Sequence, residues 1–99
     1  MNRKQLFDEI NNLQEIEKRL IEVKNNDYGA EDAPFANFEM FGELGFLVRM
    51  SDKLMRAKQI ISKGDIKVKD ETLRDTLMDL SNYANLLIVY LEVNNAKSK

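Results

Sequence analysis

In the stretch DETLRDTLMDLSNYANLLIVYL, residues 70–91, Glu71, Asp75 and Asp79 recur at every fourth position. On a helix this spacing stacks three carboxylates in one stripe, where each like-charged pair costs about 0.2–0.5 kcal/mol. Carboxylates gathered in this way suit a hard cation with oxygen ligands, or the basic side chains of a neighbouring element. The i±3 and i±4 neighbours of Asp79 are Asp75, Thr76, Asn82 and Tyr83, so no base on its own helix can pair with it. The stripe reads either as a solvated acidic face or as one wall of a site. Val89 and Val93 continue the same side of the helix and Tyr83 and Tyr90 flank it. A helix that turns apolar all round is buried all round, so the side bearing Asp79 is expected to face protein.

Cations for such a wall lie in GELGFLVRMSDKLMRAK, residues 42–58. Arg49, Asp52, Lys53 and Arg56 share one helical face, with Glu39 and Glu43 a turn or two earlier. One reading is an ordinary exposed face laced with weak ion pairs. The other is a polar pocket in which Arg49, Lys53 and Arg56 bind phosphate and the acids Glu43, Glu71, Asp75 and Asp79 hold a cation. Gly42 and Gly45 each lower helix propensity by about 1 kcal/mol, which points to close packing or to the approach of a ligand. Tyr28 and Gly29 belong to a loop, where the ring could stack on a base or cap a core edge.

Other chemistry is excluded by composition. The chain has no cysteine and no histidine, so thiolate catalysis, His-based triads and Cys or His zinc sites are out. Magnesium or manganese on oxygen ligands is the one metal chemistry that the composition favours. Neither G-x-x-x-x-G-K-[ST] nor G-x-G-x-x-G occurs. A net charge of −2 supplies no global field for nucleic acid or anionic lipid. The longest apolar run, Leu86 to Leu91, is too short to cross a bilayer, and MNRKQLFDEI lacks the apolar core of a signal peptide. A cytoplasmic protein is the expectation.

The elements that must position these residues follow from periodicity. Leu6, Ile10, Leu13, Ile16, Leu20 and Val23 form a helical seam, which predicts a helix over 1–24. NNDYGAEDAP breaks it, so 25–36 is expected to be loop. A second helix is predicted from residue 35 or 37 to about Ser62, closed by Gly64 in the left-handed conformation. GDIKVK then connects, with IKVK potentially extended, and Asp70 caps a third helix running to about Val93. Its core face is predicted to be Leu73, Leu77, Leu80, Ala84, Leu87 and Leu91, with 94–99 a frayed tail. The fold expected is all-α: one domain over 1–99, an antiparallel bundle of about three long helices, completed by oligomerisation.

Taken together, DYG, GELGFLVRMSDKLMR and VKDETLRDTLMDLSNYA resemble the nucleotide-modification-associated domain family, small proteins frequent in bacteriophages and long classed as a domain of unknown function. The resemblance runs over about residues 24–91, and the core within it over 37–93. The matching positions are Tyr28, Gly29, Arg49, Asp52, Lys53, Arg56, Glu71, Asp75, Asp79 and Tyr83. More distantly, the layout is similar to the all-α nucleoside triphosphate pyrophosphohydrolases of the MazG and dimeric dUTPase type. There, acids on two helices bind magnesium over a nucleotide, through an ExxE and a later ExxD. Here Glu39 and Glu43, Glu71 and Asp75, and Asp75 and Asp79 are each four apart. The resemblance implies a nucleotide-binding protein of phage nucleotide metabolism, with Arg49, Lys53, Arg56, Tyr28, Gly29 and Tyr83 as ligand contacts and Mg²⁺-dependent pyrophosphohydrolysis as its chemistry. The alternatives are a non-catalytic binder that sequesters a nucleotide or signalling nucleotide, and a purely structural helical module. No membrane or nucleic-acid partner is expected.

Overall fold

The computed structural model describes residues 1–28, 34–35, 38–64 and 66–98, excepting the side chains of 25–28, 66–71 and 96–98. Among the described residues there are three helices and no strand: α1 (Arg3–Tyr28), α2 (Gly42–Lys63) and α3 (Ile66–Ser98). The class is all-α, as expected. The chain forms two compact units, Met1–Asn37 and Phe38–Lys99.

In the first unit, α1 opens on a reciprocal cap. The Gln5 N–H donates to Asn2 Oδ1 at 2.9 Å, and the Asn2 N–H donates to Gln5 Oε1 at 2.8 Å. Two of the N–H groups that a helix start leaves unpaired are thereby satisfied. The sequence NRKQ carries this signal, which periodicity alone does not detect. The helix also runs four residues past the predicted end, so NNDY is helical and not loop. Asparagine and aspartate lower helix propensity by only about 0.5 kcal/mol each, too little to stop an established helix.

The second unit is an antiparallel hairpin of α2 and α3. Phe46 near the start of α2 meets Tyr90 late in α3, and Lys53 meets Asp79. Residues 38–41 form a turn, with the Gly42 N–H donating to the Phe38 carbonyl at 2.8 Å. This turn delays α2 beyond the predicted 35–37. Gly42 has φ +58°, a conformation disfavoured for any residue with a Cβ, and so sits where the chain swings into the helix. At Gly45 a Cβ would lie 2.9 Å from the Phe41 Cβ. Packing therefore accounts for Gly45, and backbone conformation for Gly42. Gly64 closes α2 with φ 79° and ψ 3°, the left-handed cap expected there.

α3 departs further from expectation. It begins at Ile66, so the IKVK segment is helical and Asp70 lies within the helix rather than capping it. The left-handed turn at Gly64 reverses the chain early, and β-branched Ile66 and Val68 cost a helix only a few tenths of a kcal/mol, roughly. The helix also continues to Ser98 through the supposed tail.

The hairpin core is small and aromatic. Phe46 is fully buried and stacks on Phe38 with centroids 4.1 Å apart and planes at 14°. Tyr90 lies 5.3 Å away on another side, and Tyr83 meets Phe38 edge-on at 6.1 Å. Such pairs add about 0.5–1.5 kcal/mol beyond area burial. The predicted core face of α3 needs correction. Leu77 is 47% exposed, whereas Thr76, Met78 and Asn82 are buried. Thr76 tolerates burial because its hydroxyl donates to the Thr72 carbonyl at 2.7 Å, a local bond that hydropathy cannot register. No described helix is long and apolar enough to cross a membrane.

Candidate functional site

Arg49, Lys53 and Arg56 lie at spacings of four and three on α2, and helical geometry turns all three to one side. Directly across the hairpin, the aromatic cluster holds Tyr83 of α3. Between them opens a groove of about 380 Å³, lined by Arg49, Asp52, Lys53, Met55, Arg56, Gln59 and Tyr83. Five of the residues singled out in the sequence, Arg49, Asp52, Lys53, Arg56 and Tyr83, thus share one cleft within the second unit. Gln59 and Met55 were missed, although Gln59 stands three residues after Arg56 and so shares its face.

The three cations have different surroundings. Lys53 is pinned: its Nζ lies 3.2 Å from Asp79 Oδ2, with the two side chains 30% and 21% exposed. This contact accounts for an acid on α3 with no basic neighbour along its own helix. Arg49 and Arg56 are exposed, and among the described residues neither forms an ion pair. Among the described residues, the ion pairs along this face that spacing also allowed do not form. Two uncommitted guanidiniums flank the pinned lysine, and Asp52 is the one carboxylate among the lining residues. With Lys53 neutralised by Asp79, the balance of lining charge is still positive, two arginines against one acid.

Tyr83 reaches the groove on a supported ring. Its edge-on contact with Phe38, itself stacked on buried Phe46, restricts where the ring can go. A supported phenol beside two guanidiniums offers a stacking surface, a hydrogen-bonding hydroxyl and forked donors for an oxyanion.

Compared with protein-family models, curated proteins and solved structures, this chain gives no match. The groove must therefore be read from its own chemistry.

The carboxylates proposed for a cation do not assemble among the described residues. Asp79 is engaged by Lys53. Glu43 stands ten residues before Lys53 on the same helix, about 15 Å away along the axis at 1.5 Å per residue. The fold thus separates Glu43 from Asp79, because a shared acidic character along two helices does not imply a shared level in the hairpin. Asp75 is exposed, and no three acids among the described residues come close enough to hold a metal ion. The side chains of Glu71 and Tyr28, and the whole of Gly29, lie outside the described residues.

Proposed function

We propose that the second unit binds the phosphate of a nucleotide in the α2–α3 groove. Arg49 and Arg56 grip the phosphate oxygens, and Tyr83 stacks on or hydrogen-bonds to the nucleoside. The observation that carries this reading is a pair of arginines, without an ion pair among the described residues, beside a tyrosine held in place by an aromatic cluster. A guanidinium presents two parallel N–H donors to an oxyanion, so two of them on one helix face form a clamp for phosphate. The supported Tyr83 ring beside the arginines favours a nucleotide over inorganic phosphate.

Lys53 then has a positioning role. Held by Asp79 at 3.2 Å, its charge is largely neutralised, and the pair ties α2 to α3 beside the groove. Among the described residues no carboxylate cluster supports a hydrolytic step, and the reading argued is binding of the nucleotide. A protein of this kind withdraws a nucleotide or signalling nucleotide from solution.

Isothermal titration against a panel of mono-, di-, tri- and cyclic nucleotides, each with and without Mg²⁺, tests this. Binding by at least one nucleotide, lost on Arg49→Gln and on Arg56→Gln, is expected. Charge-assisted contacts contribute about 1.5–3 kcal/mol each, so each change should weaken binding roughly 10- to 150-fold. Equal affinity of wild type and both variants for every nucleotide would overturn the assignment.

A further inference from the structure

The face of α2 turned away from the core is apolar where a solvated helix face is ordinarily polar. Leu44, Leu47, Ser51, Leu54, Lys58 and Ile61 follow one another at spacings of 3, 4, 3, 4 and 3. That is the seam of a helix that packs against another helix. All six are exposed, the four apolar ones among them by 50–66%. Val48 and Met55, 52% and 50% exposed, widen the stripe, and Met40 and Phe41 extend it at 84% and 69%.

We propose that this stripe docks a second copy of the chain, α2 against α2 in antiparallel orientation, about a two-fold axis at Ser51. The area is of the right order. Full burial of a large apolar side chain removes on the order of 100 Å² from water, so eight of them, each at least half exposed, offer about 400–500 Å². Interfaces are only about 60% apolar, which brings the patch to roughly 700–800 Å² per copy. A stable dimer buries about 800 Å² per partner. Monomers rarely leave an apolar patch of this size open.

Charge selects the direction. On the side of α2 that carries the stripe, Glu43 stands at the N-terminal end and Lys58 at the C-terminal end, whereas Arg56 faces the groove. A parallel pairing would put Lys58 against Lys58 in the seam itself. The antiparallel pairing instead sets Leu44 under the aliphatic stem of Lys58 of the second copy, with its ammonium beside Glu43. The same axis sets Leu47 opposite Met55 and Val48 opposite Leu54. Ser51, the smallest residue of the stripe, falls on the axis, where two helices approach most closely.

The absence of cysteine makes the chain suitable for site-directed disulfide trapping. Ser51→Cys alone should form an intermolecular disulfide under mild oxidation, since residues on the axis fall within the roughly 7 Å Cα separation that a bridge needs. Leu44→Cys should not bridge to itself, but should bridge to Lys58→Cys when the two variants are mixed. Leu54→Glu, an exposed position, should convert dimer to monomer in sedimentation velocity while leaving the far-ultraviolet circular dichroism unchanged. Glu43→Lys or Lys58→Glu should each weaken the dimer, and the double swap should restore it. A wild-type chain that sediments as a monomer at about 100 µM, the upper end of weak dimerisation, would overturn the proposal. So would Leu44→Cys bridging to itself, which marks a parallel pair. Trapping of Ser51→Cys by Ile16→Cys in preference to itself would assign the stripe to α1 and overturn it equally. None of these variants alters an arginine of the groove or Tyr83, so failure here is separate from failure of the nucleotide reading.

Discussion

Lys53 and Asp79 show how a residue's role changes once its neighbours across the fold are known. Along α3, Asp79 is an acid without a base; across the hairpin it has one at 3.2 Å. Both side chains are more than two-thirds buried, so breaking the pair leaves a partly desolvated charge. Asp79→Asn is therefore expected to destabilise the protein by about 1–2 kcal/mol, even though it relieves repulsion with Asp75 worth a few tenths. Lys53→Met should cost a similar amount, and the double variant less than the two together. Urea denaturation of the four proteins measures the coupling. A stabilised Asp79→Asn would show that the acid behaves as part of a solvated stripe. Tyr83 allows a finer test at the same scale. Tyr83→Phe keeps the edge-on contact with Phe38 and should leave stability within about 0.5 kcal/mol, as expected where packing is conserved. If the hydroxyl contacts ligand, nucleotide affinity falls in the same variant.

At the scale of elements, the hairpin is set by its two ends. Gly64 closes α2 in the left-handed region, and an added Cβ there would meet nothing within 4 Å. The cost of Gly64→Ala is thus conformational only, about 1 kcal/mol, and Gly64→Asn should recover part of it. Gly45 is the opposite case. Alanine is about 1 kcal/mol better than glycine in a helix, yet its Cβ would press on the Phe41 Cβ at 2.9 Å. Gly45→Ala should fail to stabilise the protein despite the gain in propensity. Thermal melts of the two alanine variants, compared with wild type, separate a conformational from a steric glycine. Beside these ends, the aromatic core is what holds α2 to α3. Phe46→Ala, which removes the ring between Phe38 and Tyr90, should cost about 3–5 kcal/mol.

At the scale of the whole molecule, the modest core and the exposed α2 stripe bear on the proposed pairing of two copies, which would make association part of stability. Only Phe46, Ala57 and Met78 are buried apolar residues among those described, few for a chain of 99 residues. A dimer that stabilises the folded state makes the melting temperature depend on protein concentration. Raising the concentration tenfold should shift the wild-type midpoint upward by about 2–4 °C, using the usual relation between free energy and melting temperature for a small domain. Leu54→Glu should abolish that dependence. Differential scanning calorimetry at two concentrations is sufficient to decide the point.

The helical class, the existence of α1, the Gly64 cap and the one-sided placement of Arg49, Lys53 and Arg56 were all legible in the sequence. Each depends on residues within one or two turns of each other, where 3.6-residue periodicity and the steric freedom of glycine act locally. The true starts of α2 and α3 were not legible, because weak propensity differences of a few tenths of a kcal/mol, roughly, yield to how the turns reverse the chain. Nor was the buried face of α3, since Thr76 satisfies its hydroxyl on its own helix and so goes inside where hydropathy places Leu77. Tertiary structure alone decided which acid meets which base. Sequence spacing fixes a residue's angle around its helix but not its level against the helix opposite. The hairpin register, set by Phe46 against Tyr90, brings Asp79 to Lys53 and leaves Glu43 about 15 Å along the axis from that pair.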